Sequence, residues 1–401
     1  MIRLLAVLLL AGFVLPAAAH AHERSASSSS WTVEGGRVTG QVDLQARQAT
    51  LFLSLYPAGT TLEGGFRRRL IEGLALGRGG APCEMVSIPQ IRLLPDGRLR
   101  GDMEWACPQD QGPVELSADV FSPLSANHIH FTRLRFGAAD WQDDVLTHSR
   151  SRVRFTEGAA GQGGWQRVGD FIRIGTAHIL SGPDHLAFLC ALLLVVSGWR
   201  RLCLVTVGFT VGHSATLALA VLGWIAPAGP AVEALIGFSI LFLAAEAMLT
   251  RAPPSRRDVW IAAGLLAGLA VLNVSTGGAI SGPVWLGLLV VVFAYGGWLR
   301  EGGDPSRSAP ALSAGFGLVH GVGFAGLMLE LELAPEHRLP ALFGFNLGVE
   351  IGQVVFIAAM LLGTGVLVRY LDARLVEYGR WIAIAVLTGV GAYWFVERAW
   401  S

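Results

Sequence analysis

After residue 170 the chain consists almost entirely of long apolar segments, and this feature limits its possible folds more than any other. About 20 helical residues cross an apolar layer of about 30 Å. The segments predict an all-α membrane bundle of eight transmembrane helices, at residues 171–198, 202–223, 231–250, 258–275, 282–299, 309–331, 339–367 and 380–397. A composition that is 52% hydrophobic and only 15% charged fits a protein that contacts a lipid bilayer.

The arginines between these segments predict which side of the membrane each loop faces, because cytoplasmic loops carry an excess of Lys and Arg. One set of alternate loops contains Arg200, Arg201, Arg251, Arg256, Arg257, Arg300, Arg307, Arg369, Arg374 and Arg380, whereas the other set holds only Arg338, with Arg398 in the C-terminal tail. We therefore expect a bacterial inner-membrane protein whose N-terminal domain and C-terminus lie outside the cytoplasm. The basic residues are scattered, which argues against nucleic-acid binding.

Residues 1–19 have the features of a secretory signal peptide. Arg3 precedes the apolar run LLAVLLLAGFVL, and the small residues of PAAAHA follow it. Cleavage after Ala19 would leave His20-Ala21-His22 at the new N-terminus, where an amine, two amides and an imidazole can form a square-planar site for Ni(II) or Cu(II). Cleavage after Ala21 would abolish that site.

Residues 30–156 alternate between apolar and polar side chains in short runs, such as ATLFLSLYP and HIHFTRLRF, separated by Gly, Pro and Asp. This period predicts an exported, all-β domain, an antiparallel β-sandwich. A Gly-rich linker at 157–169 then leads into the helical membrane domain at 170–401. His128 and His130 share one face of a predicted strand, a spacing that could hold a metal but more often belongs to an ordinary strand surface.

The four cysteines divide by position. Cys83 and Cys107 lie in the exported part, where an oxidising environment allows them to form a disulfide. Cys190 and Cys203 lie in apolar segments, where we expect them to act as packing residues, because free cysteine behaves as a small hydrophobic side chain.

The first membrane segment carries polar side chains that an ordinary apolar helix would not contain. His178 and His185 are seven residues apart, so they lie on nearly one face, separated by about 10 Å along the axis. Pro183 is expected to kink or interrupt the helix between them. A charged carboxylate at mid-membrane costs about 2.5–3.5 kcal/mol, so Asp184 needs a partner or water.

Three further helices add polar side chains at comparable depth. The second contains His213, the sixth contains His320, and the seventh carries Asn346, Glu350 and Gln353 at spacings of four and three, which form one helical stripe. All of these side chains could meet in one pocket. The structural alternative is that they only hydrogen-bond across helices and hold the bundle together.

Imidazole, carboxylate and amide groups form a ligand set suited to Ni, Co or Zn, whereas Cu(I) prefers thiolates and thioethers. Methionine is scarce, with six residues in the chain. Two further acids, Glu233 and Glu246, lie near the ends of the third segment. Of these, Glu246 is the candidate for a supporting group beside the ligands.

Four motifs resemble those of the HupE/UreJ family, membrane proteins linked to hydrogenase and urease maturation. They are His178-x5-Asp184-His185, FTVGHS at 209–214, FGLVHGVGFA at 316–325 and FNLGVEIGQ at 345–353. Members of the family are regarded as permeases for nickel, or for nickel and cobalt. The resemblance implies a metal-binding role for His178, Asp184, His185, His213, His320 and Glu350. It covers about half of the chain and leaves the pair of segments at 258–299 unmatched.

The first motif also differs from the H-x4-D-H signature of the separate nickel–cobalt transporter family by one residue. The sequence therefore predicts a membrane permease that moves a divalent transition metal, first of all nickel, inward through an intramembrane site. The metal is its substrate, not a catalytic cofactor. Two alternatives stay open: a membrane-embedded zinc hydrolase, for which Ser181 and Ser214 lie beside the histidines, and a metal sensor or assembly factor whose exported domain binds a periplasmic partner.

Overall fold

A computed structural model describes residues 26–95, 97–108, 111–121, 123–124, 128–148, 150–158, 168–225, 229–249, 253–330 and 335–401. The predicted signal peptide, the His20-Ala21-His22 site and most of the linker lie outside these residues. The described chain divides into two compact units, a β-domain and a helical domain that begins at Phe171.

The β-domain contains two sheets. Its strands are β1 (Ala26–Glu34), β2 (Arg37–Gln45), β3 (Leu74–Arg78), β4 (Ala81–Pro82), β5 (Glu84–Met85), β6 (Gln90–Leu93), β7 (Arg98–Ala106), β8 (Val114–Ala118), β9 (Ile129–Phe136), β10 (Gln142–Thr147) and β11 (Arg152–Phe155). Within the described residues, one sheet has the order β10-β9-β1-β2-β7-β5, with β6 also paired to β7, and the other has the order β11-β8-β3-β4. Trp31, Val42, Leu76 and Leu116 are among the residues of both sheets that form one hydrophobic core.

The sequence-based prediction of a purely antiparallel, all-β domain was wrong in two places. β1 pairs with β9 in parallel, with Ala26 opposite Ile129. Alternation of apolar and polar side chains determines which face of a strand is buried. It does not determine whether a partner strand that is distant in the chain runs parallel or antiparallel. The run ATLFLSLYP, expected to be a strand, instead forms helix α1 (Ala46–Ala49) and a 3-10 helix at Thr50–Leu55, and α2 (Leu62–Gly73) follows. Short apolar runs do not distinguish strand from helix.

The predicted disulfide between Cys83 and Cys107 is confirmed. It links the residue before β5 to the residue after β7, and these two strands are paired. The other two cysteines are free. Cys190 is half-buried, but Cys203 is exposed on the surface of its helix, so it is not the interior packing residue that we expected.

His128 and His130 are buried in the β-domain, where the sequence suggested a strand surface. The hydroxyl oxygen of Ser27 lies 2.7 Å from His128 Nε2 and 2.6 Å from His130 Nδ1, and that of Ser29 lies 2.9 Å from His130 Nε2. Burial lowers the pKa of His128 from its ordinary value of 6.5 to about 3. Burial, together with the neighbouring His128, also lowers the pKa of His130 well below 6.5.

These two histidines are expected to make the β-domain less stable in acid. Between pH 6.5 and pH 3 the unfolded chain binds a proton at His128 that the folded domain does not bind, so stability falls as the pH is lowered, by about 1.4 kcal/mol per pH unit. The lowered pKa of His130 adds to this loss in the same direction. Hydrogen exchange of β1 and β9 in the full-length protein, corrected for the intrinsic exchange rate at each pH, should show this loss. His130→Gln should reduce the slope, and the exposed His148→Gln should not; equal slopes in all three proteins would contradict the prediction.

The helical domain contains α3 (Val168–Ser181), α4 (Pro183–Val195), α5 (Trp199–Val221), α6 (Gly229–Leu249), α7 (Arg256–Ser275), α8 (Gly282–Arg300), α9 (Pro305–Glu330), α10 (Pro335–Tyr370) and α11 (Ala373–Ala399). In the described residues, length and composition qualify six helices as membrane spans, α5 to α8, α10 and α11, and α3 with α4 can form a seventh. The prediction of eight spans is therefore not confirmed. The segment expected at 309–331 lies mostly in α9.

The first predicted span consists of two helices. α3 ends at Ser181, α4 begins at Pro183, and the two are bent by 70°. Pro183 occupies a first-turn position of α4, where its missing N–H removes no helical hydrogen bond. The expected interruption at Pro183 is confirmed, and it places the first turn of α4 in the interior of the domain.

Glycines allow three pairs of helices to approach until their backbones touch. A β-carbon at Gly175 of α3 would collide with the Phe345 carbonyl of α10, and one at Gly212 of α5 would collide with the Ala314 carbonyl of α9. Gly237 meets the backbone of α11 in the same way. Small residues at helix contacts are typical of membrane bundles. This close approach brings the polar side chains of these helices within reach of one another.

α7 and α8 form the pair that the motifs left unmatched. The buried side chain of Asn273 accepts a hydrogen bond from the Trp285 indole at 3.1 Å and donates one to the Ala399 carbonyl at 2.7 Å. The outer side chains of the pair, among them Trp260, Leu265 and Val271, are exposed. These contacts fit a peripheral packing role beside α11.

Candidate functional site

The break between α3 and α4 positions three of the predicted site residues. The rings of His178 and His185 lie 4.6 Å apart, measured between centroids. Asp184 lies in the first turn of α4, where a carboxylate is favoured by the free N–H groups. Its Oδ1 accepts a hydrogen bond from the backbone N–H of His185 at 2.8 Å and lies 2.9 Å from His185 Nδ1. The carboxylate therefore fixes the orientation of the imidazole.

His320 of α9 extends this group. Its ring centroid lies 5.1 Å from that of His185, and its Nε2 lies 3.3 Å from the Ser239 hydroxyl of α6. The side chains of His185, His320 and Ser239 are all buried. Three histidines from α3, α4 and α9 thus lie in sequence through the domain, and we call them the histidine row: His178, His185 and His320.

His213 of α5 shares two aromatic neighbours with the histidine row. Phe345 lies 5.5 Å from His178 and 5.9 Å from His213, and Phe209 lies 5.1 Å from His320 and 6.0 Å from His213, measured between ring centroids. His213 Nδ1 lies 3.2 Å from Asn346 Oδ1 of α10. Its side chain is fully buried.

Glu350 lies one turn after Asn346 on α10. It accepts a hydrogen bond of 2.5 Å from the Thr210 hydroxyl, which lies one turn before His213 on α5. The two contacts, Thr210 to Glu350 and His213 to Asn346, therefore connect the same two helices. The described hydrogen-bond partner of Glu350 is thus on the same helix as His213.

The two remaining supporting residues lie elsewhere. Gln353 is buried on α10, and among the described residues its Oε1 has no hydrogen-bond partner. Glu246 is also buried, and it accepts a short hydrogen bond from Tyr295 of α8. It follows Ser239, the α6 residue next to His320, by seven residues, which is about 10 Å along the helix. Glu246 is thus a partner of α8, not a direct neighbour of the histidine row.

Arg398 is the residue that the sequence analysis missed. It was assigned to an exterior tail, but it is only 2% exposed within α11, and its Nη1 lies 4.0 Å from Asp184 Oδ2. The need of an intramembrane carboxylate for a counter-charge was the available signal. Since Arg398 is distant from Asp184 in the chain, only the packing of α11 against α4 and α6 could identify the pair.

The arrangement offers donors that are close together but do not share one coordination sphere. Among the described residues, no group of three or more His, Cys, Asp or Glu side chains is placed to hold a metal ion. The histidines follow one another instead, with a carboxylate beside the row and another on the α5–α10 contact. A passing cation could therefore be bound by successive imidazoles, with small movements of the side chains.

A sequence profile of the protein family described as HupE / UreJ protein matches residues 155–276 and 285–398, more than half of the chain. The matched ranges include every predicted ligand and supporting residue of the membrane domain. They also include most of α7 and α8, which the four motifs had left unassigned. No curated protein matches the chain.

Proposed function

The chain belongs to the HupE/UreJ family, and we propose on this basis that it is a membrane permease that moves a divalent transition-metal ion inward. Nickel is the first candidate for the ion, followed by cobalt and zinc. The proposed route passes along the histidine row, with Asp184, His213 and Glu350 as further ligands.

The observation that carries the proposal is the placement of four histidines inside a membrane domain. His185, His213 and His320 are buried, and His178 contacts His185. Neutral imidazole is the nitrogen ligand that suits nickel, cobalt and zinc. Intramembrane ionisable residues are rare and mark ion pathways.

We prefer a transported ion to a resident catalytic zinc. The family match supports this preference, because HupE/UreJ proteins are regarded as metal permeases and not as hydrolases.

We further propose that the β-domain lies on the periplasmic side of the inner membrane, where its disulfide between Cys83 and Cys107 persists. It could receive a periplasmic partner there. A membrane potential that is negative inside contributes about 2.3 kcal/mol per charge per 100 mV, so a divalent ion can enter without ATP.

The test is metal accumulation in sealed vesicles that contain the purified full-length protein. With an inside-negative potential, we expect vesicles to accumulate Ni²⁺, Co²⁺ or Zn²⁺ above protein-free vesicles, and to lose this accumulation when the potential is collapsed. Folded protein that accumulates none of these ions would overturn the proposal. Cleavage of lipid or peptide without metal flux would support the hydrolase instead.

Glu350→Gln is expected to weaken metal binding strongly, because it removes the negative charge while it keeps the hydrogen bond to Thr210. His213→Ala should also weaken binding. Because both residues join α5 to α10, the double variant should lose less affinity than the two single losses summed. Isothermal titration with Ni²⁺ measures this, with the exposed Glu301→Gln as a control. Strictly additive losses would mean that the two residues do not share one site.

A further inference from the structure

We propose that Arg398 takes the place of the transported cation while the site is empty. It neutralises Asp184 in that state and leaves the carboxylate when a divalent ion arrives. The inference rests on the proposed function, because it assumes that the site receives a cation. It starts from a buried guanidinium at ion-pair distance from the carboxylate beside the histidine row.

The two carboxylate oxygens of Asp184 contact different groups. Oδ1 accepts the backbone N–H of His185 and orients its ring, whereas Oδ2 lies 4.0 Å from Arg398 Nη1. Asp184 and Arg398 are each only 2% exposed. The carboxylate that holds a ligand histidine in place is thus the same one that faces the arginine.

The guanidinium is held loosely for a buried charge. Its Nη1 donates to the Glu233 carbonyl of α6 at 3.2 Å, and its central carbon lies 5.2 Å from the Trp394 ring centroid. Among the described residues, Nε and Nη2 have no hydrogen-bond partner. A buried guanidinium normally fills its five donors. A movement of Arg398 therefore breaks no described hydrogen bond at these two atoms.

Electrostatics makes the two cations exclude each other. A divalent ion bound by Asp184 and His185 would lie close to the present position of the guanidinium, and like charges at such distances repel strongly in a medium of low dielectric. If Arg398 left and no other cation took its place, Asp184 would lose this counter-charge, which is costly for a buried carboxylate. Exchange of one cation for the other avoids both costs.

The exchange needs only a local movement. Arg398 lies in the last turn of α11, which ends at Ala399. A long arginine side chain can extend its charge toward a membrane interface while its backbone stays in place. The return of Arg398 to Asp184 would then promote release of the ion, since it restores the neutral pair.

The first test uses the native full-length protein in detergent and an arginine-modifying dicarbonyl reagent, with the modified residues identified by mass spectrometry. Arg398 should react slowly without metal and faster with saturating Ni²⁺. Arg380 is the control on the same helix; it donates to the Ala247 carbonyl at 3.0 Å, and its reactivity should not change. Unchanged reactivity of Arg398 while Ni²⁺ binding is measured in the same sample would overturn the inference.

The second test compares variants. Arg398→Gln should bind Ni²⁺ about tenfold more tightly or more, because a competing positive charge beside the ion is gone. The same variant should take up metal more slowly in vesicles, because release is no longer assisted. Arg398→Lys keeps the charge and should restore affinity and uptake toward native values, whereas Arg380→Gln should change neither.

The outcomes separate this inference from the proposed function. If the native protein binds none of the three metals, the proposed function fails and the exchange fails with it. If the native protein binds metal but Arg398→Gln binds it equally or less tightly, only the exchange is overturned. If Arg398→Gln does not fold, the labelling of the native protein decides alone.

Discussion

Replacement of His185 with alanine is expected to abolish metal uptake. His185 lies between His178 and His320, with ring centroids 4.6 Å and 5.1 Å away, so its loss interrupts the histidine row at its middle member. Even an outer partner of a metal ligand contributes about 10- to 100-fold to metal affinity, so the loss of a ligand should cost about 100-fold or more. Uptake of Ni²⁺ into vesicles and its binding to purified protein measure the two effects.

Two further variants show whether the loss of uptake comes from the missing imidazole or from a folding defect. His185→Gln keeps a polar side chain of similar volume, so it should leave the protein folded while uptake is lost. The exposed His148→Ala in the β-domain should take up metal at the native rate. Native uptake by His185→Ala would exclude the histidine row as the route.

Asp184→Asn should also abolish uptake, and it should in addition lower the stability of the protein. The substitution leaves the buried guanidinium of Arg398 without its carboxylate, and removal of one partner from a buried ion pair costs about 3–5 kcal/mol. We therefore expect Asp184→Asn to unfold at a lower temperature than His185→Gln. Equal melting temperatures would indicate that the ion pair does not stabilise the protein.

Gly212→Ala is expected to destabilise the helical domain although it adds a single methyl group. The added β-carbon would collide with the Ala314 carbonyl and crowd the backbone nitrogen of Leu318, so α5 and α9 must move apart. Overpacking of this kind costs about 1–3 kcal/mol or more, which lowers the melting temperature of a domain of this size by about 5–10 °C. Separation of these helices also moves His213 away from α9, so uptake should fall.

Gly268→Ala is the matched control. Gly268 also lies in the interior of a membrane helix, α7, but a β-carbon there would meet nothing within 4 Å. Alanine favours helix over glycine, so this variant should be as stable as the native protein or slightly more stable. Similar melting temperatures for the two alanine variants would show that the close contact at Gly212 is not required.

Much of the architecture could be predicted because it depends on local patterns. Apolar length identifies membrane helices, period-two alternation identifies a β-domain, and Pro183 interrupts a helix wherever that helix lies. The four motifs identified the family, which the profile match confirmed. The pairing of Cys83 with Cys107 was also predictable, since these are the two cysteines of residues 20–170.

Residue spacing was less informative about which side chains are buried. In the β-domain, the burial of His128 and His130 could not be expected from their spacing. Their serine partners Ser27 and Ser29 lie on β1, about 100 positions earlier in the chain.

Residue type and order were therefore sufficient for the membrane class, the presence of a β-domain, the break at Pro183 and the family. They were not sufficient for the contacts between the polar residues of the helices. That Arg398 faces Asp184, that Thr210 binds Glu350, and that Glu246 belongs with Tyr295 depend on which helices touch. Those contacts are set by glycine-mediated approach of helices distant in sequence, and no local pattern encodes the distance between two such helices.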